Sequence, residues 1–232
     1  MKIDLLERVR NESSAEYTFR VLKASIINLR LPPGCTISEQ EIADLLKVSR
    51  TPVREAFIKL TQETLLEVLP QKGTYVSLID PDQVEESKFL RESLEKEVVK
   101  TACNGSFPPE ALRLLRRHIA LQDKCMQAKD YLQLFALDES MHGAIFTACN
   151  KGRIWGAIQQ MNTHYNRVRM LNLTYGYDWP LIIEQHRLIV RAIADGDAAR
   201  AEEAVDVHLN KVIIDLKELQ HDFGHYFKRQ AV

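Results

Sequence analysis

A break of three residues between two helical patterns constrains the fold of this 232-residue chain more than any other feature. The first pattern begins at Ser38, which forms a predicted capping box with Glu41, and continues with apolar residues at helical spacing. Residues 47–49 leave room only for a tight turn before the second pattern. That pattern has Pro52 in its first turn, where a missing N–H costs nothing. The region is therefore predicted to form two short helices joined by a turn.

The second predicted helix carries two arginines opposite its apolar stripe. Arg50 and Arg54 lie four residues apart, so their side chains project from the same face. A planar guanidinium suits such a position because it can donate two hydrogen bonds to guanine or grip phosphates. This is the geometry of a helix-turn-helix that reads the major groove, although an ordinary helical hairpin with solvated arginines has the same periodicity. Two β-prone runs at 66–69 and 74–78, around a turn at 70–73, predict a hairpin of the kind called a wing.

The residues of this region strongly resemble the winged helix-turn-helix of the GntR superfamily of bacterial transcriptional regulators. The resemblance is carried by the string Ser49-Arg-Thr-Pro-Val-Arg-Glu-Ala56, by residues 38–43 and by residues 73–76. The DNA contacts that it implies come from both helices and from the tip of the wing: Gln40, Ser49, Arg50, Thr51, Arg54, Lys72 and Gly73. Gln40 departs from the family, because many members have a basic residue there, and so would attract DNA less strongly. Thr64 also departs, since a glycine usually ends the recognition helix.

Composition indicates a globular protein whose affinity for nucleic acid would be local. The hydrophobic content of 45% supports a packed core, and the net charge of −1 is too small to attract DNA through bulk charge. Only residues 47–59 are locally basic, so we expect a focused patch and dimerisation to supply the affinity. The four cysteines have no close spacing and are expected to be reduced thiols of a cytoplasmic protein. No apolar stretch approaches the roughly eighteen residues of a membrane span, so no membrane partner is expected.

The chain beyond the predicted wing shows helical periodicity throughout. Asp80 and Pro81 predict the start of a helix, which divides the chain into two domains at 1–78 and 79–232. Recurrent breaks separate about six helices, near 105–109, 130, 150–152, 175–180 and 195–197. The predicted fold class is therefore mainly α, with an N-terminal winged helix-turn-helix followed by an all-α antiparallel helical bundle. A bundle in this position resembles the FCD subfamily, the FadR-like branch of the same superfamily.

Four residues of the predicted bundle have metal-ligating side chains on apolar helix faces. Asp138 and His142 lie four apart on one helix, and His186 and His208 lie on two later helices. Buried groups of these types need partners, and helical bundles build metal sites from them. Zn(II), Ni(II), Mn(II) and Fe(II) all suit one aspartate with three histidines. Such spacing also arises by chance, and the histidines would then be purely structural.

The FCD resemblance implies that these four residues bind a divalent transition metal, with zinc expected in the purified protein. It also implies a small organic acid as effector, held by the metal together with Arg91 and Arg169, because a buried carboxylate needs a cation and bidentate donors. Arg91 and Glu95 also form an i,i+4 pair that would simply decorate a helix surface. The four remaining histidines are assigned no role beyond surface or helix-end polar groups: His118, His164, His221 and His225.

Together these features predict a DNA-binding transcriptional regulator, expected to act as a repressor and not as an enzyme. A homodimer would read a palindromic operator in double-stranded DNA, and an acid that binds one arrangement of the recognition helices better would change operator affinity. One alternative is a metal-dependent enzyme that acts on a small organic acid and is fused to a DNA-binding domain. Another is a second domain that only dimerises, with structural histidines.

Overall fold

The computed structural model describes residues 3–175 and 179–229. The N-terminal part contains α1 (Ser14–Ile27), β1 (Thr36–Ile37), α2 (Glu39–Leu46), α3 (Arg50–Gln62), β2 (Leu66–Leu69) and β3 (Gly73–Val76). Helices alone follow among the described residues: α4 (Pro81–Ala102), α5 (Pro109–Ala128), α6 (Tyr131–Ala148), α7 (Gly152–Met161), α8 (Thr163–Tyr175), α9 (Trp179–Asp195), α10 (Ala198–Asp222) and a 3-10 turn (Gly224–Tyr226). The predicted fold class is confirmed.

Helices α2 and α3 form the predicted pair around their short turn, and a three-stranded sheet completes the N-terminal part. The strand order is β1, β3, β2, and both pairings are antiparallel. Strands β2 and β3 form the predicted wing, with Leu66 opposite Val76. The sequence does not predict β1, in which Thr36 pairs with Tyr75, because two residues are too few to show alternation.

Of two N-terminal caps predicted for α2 and α4, the structure contains only the second. Ser38 precedes α2, but its side chain makes no capping hydrogen bond, so the predicted capping box with Glu41 is wrong. At α4 the prediction is confirmed, because the Asp80 side chain accepts a hydrogen bond from the N–H of Asp82 at 3.2 Å and Pro81 lies in the first turn. Helix α4 therefore begins at a well-defined place directly behind the wing.

Separate hydrophobic clusters fill the N-terminal part and the helical bundle. Helices α1, α2 and α3 bury Val21, Leu22, Ile26, Ile42, Val53 and Leu60. In the bundle, α5 packs along α6, and α10 packs along α4 and α9. Helices α7 and α8 are separated at Asn162, which the sequence does not predict because no glycine or proline marks the break. Over the two described segments, none of the helices has the length and apolar character required to cross a membrane.

A third cluster holds the linker between the wing and α4. Ile79 forms a parallel bridge with Phe227, in which the Ile79 N–H donates to the carbonyl of Tyr226 at 2.8 Å. The Lys228 N–H in turn donates to the carbonyl of Ile79 at 2.8 Å. Ile79 is completely buried there against apolar side chains of α8 and α10. The linker is therefore fixed to the bundle.

Candidate functional site

All seven residues implied in DNA contact are exposed. Gln40 lies in the first turn of α2, while Ser49, Arg50, Thr51 and Arg54 lie at the start of α3. Helix α3 packs its apolar face against α1, and this packing turns its arginines outward. The start of α3 is therefore a basic surface that nothing in the described part of the chain covers.

Short-range contacts hold two of these side chains. Arg50 Nη2 lies 3.3 Å from Glu39 Oε2, and Gln40 Nε2 donates to Asp44 Oδ1 at 2.9 Å. Exposed pairs of this kind contribute only about 0–1 kcal/mol, so they would yield readily to a phosphate or a base.

The tip of the wing requires the glycine that the sequence places there. Gly73 has a φ of +107°, in the region that only glycine adopts without strain. The Lys72 N–H donates to the carbonyl of Leu69 at 3.1 Å, and the Tyr75 hydroxyl donates to the carbonyl of Lys72 at 3.2 Å. Lys72 and Gly73 are thus presented together at an ordered turn.

Thr64 stands at the left-handed position after α3, with a φ of +58° that normally favours glycine. Its hydroxyl lies 2.9 Å from Gln83 Oε1 and 3.0 Å from His164 Nε2. His164 is completely buried, and its Nδ1 accepts a hydrogen bond from the N–H of Asp80 at 2.9 Å. The prediction that His164 is only a surface or helix-end group is therefore wrong, because it joins the end of α3 to the start of α4.

Three helices bring the four candidate metal ligands together. Asp138 and His142 lie one turn apart on α6, His186 lies on α9 and His208 lies on α10. One ligand atom from each lies within 4.8 Å of the others, and all four side chains are buried. We call these four residues the His–Asp cluster. Its size and composition suit a single metal ion.

Each histidine of the His–Asp cluster uses its Nδ1 for a contact outside the cluster. The Nδ1 atoms lie 2.6 Å from Glu95 Oε2 (His142), 2.8 Å from Gln122 Oε1 (His186) and 3.2 Å from Gln185 Oε1 (His208). These acceptors place the proton on Nδ1 and leave the Nε2 lone pair free. The Nε2 atoms of His142 and His186 and the Oδ1 atom of Asp138 are buried without a hydrogen-bond partner outside the cluster, and His186 Nε2 lies 3.1 Å from Asp138 Oδ1. Because converging acceptors are costly to bury alone, the donor set fits a cation.

The electrostatics around Asp138, His186 and His208 favour the protonation states that bind a metal. Burial lowers the pKa of His186, and burial together with the neighbouring imidazoles lowers the pKa of His208 well below its ordinary value. Burial alone would raise the pKa of Asp138, but the Arg169 guanidinium and His186 hold it well below its usual range. Neutral imidazole and ionised carboxylate are the forms that bind metals.

Arg91 is completely buried on α4. Its Nε donates to Glu95 Oε1 at 2.6 Å, whereas Nη1 and Nη2 have no hydrogen-bond partner. Its Cζ lies 5.1 Å from the ring centroid of Tyr165 and 5.6 Å from that of Trp155. The alternative of an Arg91–Glu95 pair on a helix surface is therefore wrong, and two buried donor groups are available to an anion.

Arg169 on α8 contacts the His–Asp cluster directly. Its Nη2 donates to Asp138 Oδ2, and its Nη1 donates to Glu139 Oε1 and, at 3.0 Å, to Asn166 Oδ1. Together with Asp138 and His208 it lines a cavity of about 30 Å³. Both candidate effector-binding arginines thus lie beside the cluster.

Sequence reasoning missed the residues that orient the histidines. Gln122 and Gln185 are polar residues on otherwise buried faces of α5 and α9, which is a signal that could have identified them. Glu95 was not identified because it lies four residues after Arg91, a spacing that is also typical of ordinary ion pairs on helix surfaces. Glu139 follows Asp138 directly, and nothing in its local sequence indicates its contact with Arg169.

Comparison with known families gives two matches that together span most of the chain. The model of the bacterial regulatory proteins of the gntR family matches residues 15–76. The model of the FCD domain matches residues 88–211.

Individual relatives agree with these matches. The chain is 33% identical over 210 residues, 90% of its length and 88% of the relative's, to an uncharacterized HTH-type transcriptional regulator in an unstable DNA locus of Streptomyces ambofaciens. It is 26% identical over 212 residues, 91% of its length and 92% of the relative's, to the HTH-type transcriptional repressor RspR of Escherichia coli (strain K12). Among solved structures, E. coli McbR/YncC shares the fold, with a TM-score of 0.78, 21% identity and coverage of 89% of this chain and 98% of that one.

Proposed function

Since this chain belongs to the GntR family of bacterial regulatory proteins and carries an FCD domain, we propose that it is a transcriptional repressor whose operator affinity responds to a small organic acid. The family and its named relatives are transcriptional regulators, so the enzyme alternative is not retained. Residues 1–78 act as the DNA-binding domain, and residues 79–232 act as the ligand-binding and dimerisation domain. Repression is supported by the name of the E. coli relative RspR.

Helix α3 is the recognition helix in this proposal. Arg50 and Arg54 make the main contacts with bases or phosphates in the major groove, and Lys72 and Gly73 reach the minor groove or the backbone. Support comes from the exposure of these residues and from the packing of α3, which turns the arginines outward. A homodimer carries two such helices, so its operator is a palindrome.

The His–Asp cluster holds one divalent transition metal. The observation that carries this step is the convergence of buried ligand atoms that have no hydrogen-bond partner outside the cluster, which are Nε2 of His142 and His186 and Oδ1 of Asp138. Zinc is the ion expected in the purified protein, and nickel, manganese and iron also suit the donor set. When bound, the metal supplies a positive centre for a carboxylate oxygen of the effector.

Arg91 and Arg169 complete the binding site for the acid, which we call the anion site. Arg91 contributes two buried donor groups that make no hydrogen bond, and Arg169 lies next to Asp138. Two guanidiniums and a divalent metal carry one positive charge more than the three nearby carboxylates of Glu95, Asp138 and Glu139. The site therefore has a net positive charge that attracts an anion.

The proposed function is tested by selecting genomic fragments with the purified metal-loaded protein and footprinting the enriched sequences. The expected result is a short palindrome, because a two-fold dimer presents two identical α3 helices. Arg54→Ala should lose about 1–3 kcal/mol of specific binding and relax the preference at one base position, since it removes a bidentate donor. Arg153→Ala removes an exposed arginine of the bundle and should change nothing.

Two results would contradict the proposal. One is the absence of any enriched sequence with folded, metal-loaded protein. The other is an Arg54→Ala protein with unchanged affinity and sequence preference, which would remove Arg54 from the recognition surface.

A further inference from the structure

Two openings approach Arg169. The cavity beside the His–Asp cluster, with about 30 Å³, has space for roughly one or two water molecules and is too small for an organic acid. The other opening is a groove of about 730 Å³ between the N-terminal part and the bundle. Phe19, Lys23 and Lys59 lie on one side of the groove, and Phe135, Glu139 and Asn166 lie on the other.

A thin wall of side chains separates the groove from the anion site. The Cζ atom of Arg169 lies 4.8 Å from the ring centroid of Phe135, and the guanidinium donates to Asn166 and Glu139. Glu139 is 14% exposed, and its Oε1 also lies 3.6 Å from Arg91 Nη1. A single carboxylate thus faces both arginines of the anion site and lines the groove.

From this geometry we infer that Glu139 is a built-in competitor of the effector. Its carboxylate occupies the place that the carboxylate of the acid takes, and the acid enters from the groove and displaces Glu139 from Arg91 and Arg169. Gln159 Nε2 donates to Glu139 Oε2 at 2.5 Å and holds the competitor in place. This inference rests on the proposed function, because it concerns the regulation of the same site.

Exchange of one carboxylate for another follows from the charges of the site. Without Glu139 or an acid, each arginine would have a single ion-pair partner. Arg91 would retain Glu95, and Arg169 would retain Asp138. A buried guanidinium that loses a partner is strongly unfavourable, so Glu139 stays in place until another anion arrives. Entry of an acid without displacement would instead force two carboxylates against each other.

The entry route also places the rest of the acid between the two parts of the molecule. An acid anchored at Arg169 extends into the groove towards Phe19 on α1, and Lys59 of α3 lies over the Phe19 ring at 4.1 Å. The acid then contacts the helix on which α3 packs. Effector binding and the position of the recognition helix are coupled directly by this route.

Calorimetric titration of the zinc-loaded protein with acetate, lactate and succinate tests the inference. Glu139→Gln keeps the shape of the side chain but removes the competing charge, so at least one acid should bind about tenfold tighter than to the wild type, about 1.4 kcal/mol. Gln159→Ala releases Glu139 without changing the charge and should tighten binding by a smaller factor. The matched control Glu184→Gln removes an exposed carboxylate that pairs with Arg187 at 2.9 Å and should have no effect.

The melting temperature shows whether each variant is folded, and the zinc content shows whether it has bound metal. If Glu139→Gln does not fold, Gln159→Ala tests the inference. Equal affinities of the wild type and both variants would overturn the inference and leave the effector site in place. Absence of acid binding in every protein would overturn both the inference and the effector part of the proposed function. The genomic selection reports DNA binding separately.

Discussion

Each imidazole of the His–Asp cluster is oriented by one residue of another helix. Glu95 on α4, Gln122 on α5 and Gln185 on α9 accept hydrogen bonds from the Nδ1 atoms. Because a proton on Nδ1 leaves a lone pair on Nε2, these three residues decide which ring atom faces the centre of the cluster. The proposed metal affinity therefore depends on residues that do not touch the metal.

Replacement of both His186 and His208 by alanine is expected to abolish metal loading, because half of the proposed ligands are lost. The protein should remain folded, since the hydrophobic clusters are not altered. Elemental analysis of the purified protein measures the metal, and circular dichroism reports the fold. The matched control replaces the exposed His221 and His225 and should retain its metal. Metal retained after the first double change would show that the proposed ligand set is wrong.

Helix α8 carries contacts to both parts of the molecule. Arg169 faces the His–Asp cluster, whereas His164 and Arg167 face the linker behind the wing. Burial and the Arg167 charge lower the pKa of His164 to about 3, and the Asp80 carboxylate only partly offsets them. His164 is therefore neutral in the folded protein between about pH 3 and 6.5, whereas the same histidine is protonated in the unfolded chain over this range.

The stability of the protein should therefore fall in acid partly because of His164. Below about 6.5 the unfolded state binds a proton that the folded state excludes, so the free energy of unfolding decreases as the pH falls from 6.5 towards 3. The contribution is about 1.4 kcal/mol per pH unit. His164→Asn keeps an acceptor but cannot protonate, and it should lose correspondingly less stability between pH 7 and 5. Urea denaturation in the presence of EDTA measures this difference, and identical pH dependence in both proteins would contradict it.

The two parts of the whole molecule meet at a buried cation. Arg167 is completely buried, and it donates to the carbonyl of Ser77 at 2.7 Å, to the Ser77 hydroxyl at 3.2 Å and to His164 Nδ1 at 2.8 Å. Burial lowers its pKa to about 9, which still leaves it charged at neutral pH. A movement of α8 at the anion site would be transmitted through these bonds to the end of the wing.

Arg167→Ala should therefore weaken the effect of ligand binding on DNA affinity. Metal and acid binding should persist, because Arg167 touches neither the His–Asp cluster nor Arg91. The change in operator affinity caused by the acid, expected to be about fivefold or more in the wild type, should become smaller, because the contact through α8 is lost and only the contact across the groove remains. Fluorescence anisotropy with the selected operator, with and without the acid that binds best, measures this ratio. An unchanged ratio would exclude Arg167 from the coupling.

Much of the fold, and the residue types of the candidate site, follow from local patterns. The helix pair around 47–49, the wing and the start of α4 at Asp80 are predictable because caps, turns and periodicity act over a few residues. The four residues of the His–Asp cluster were also predictable as a group, and the structure brings them together. The roles of these residues in binding metal, and of α3 in binding DNA, are the predictions that the experiments above address.

The sequence by itself determined most of the helices, the wing and the residue types available for a site, but not the break between α7 and α8. Only the tertiary structure decided that Arg91 and Glu95 are buried, that His164 lies at the junction, and that Glu139 stands between the groove and the arginines. The physical reason is the separation along the chain between the residues that make these contacts. The acceptors of His142 and His186 lie 47 and 64 residues away in the chain, and such contacts depend on how helices pack, which no local pattern of residues encodes.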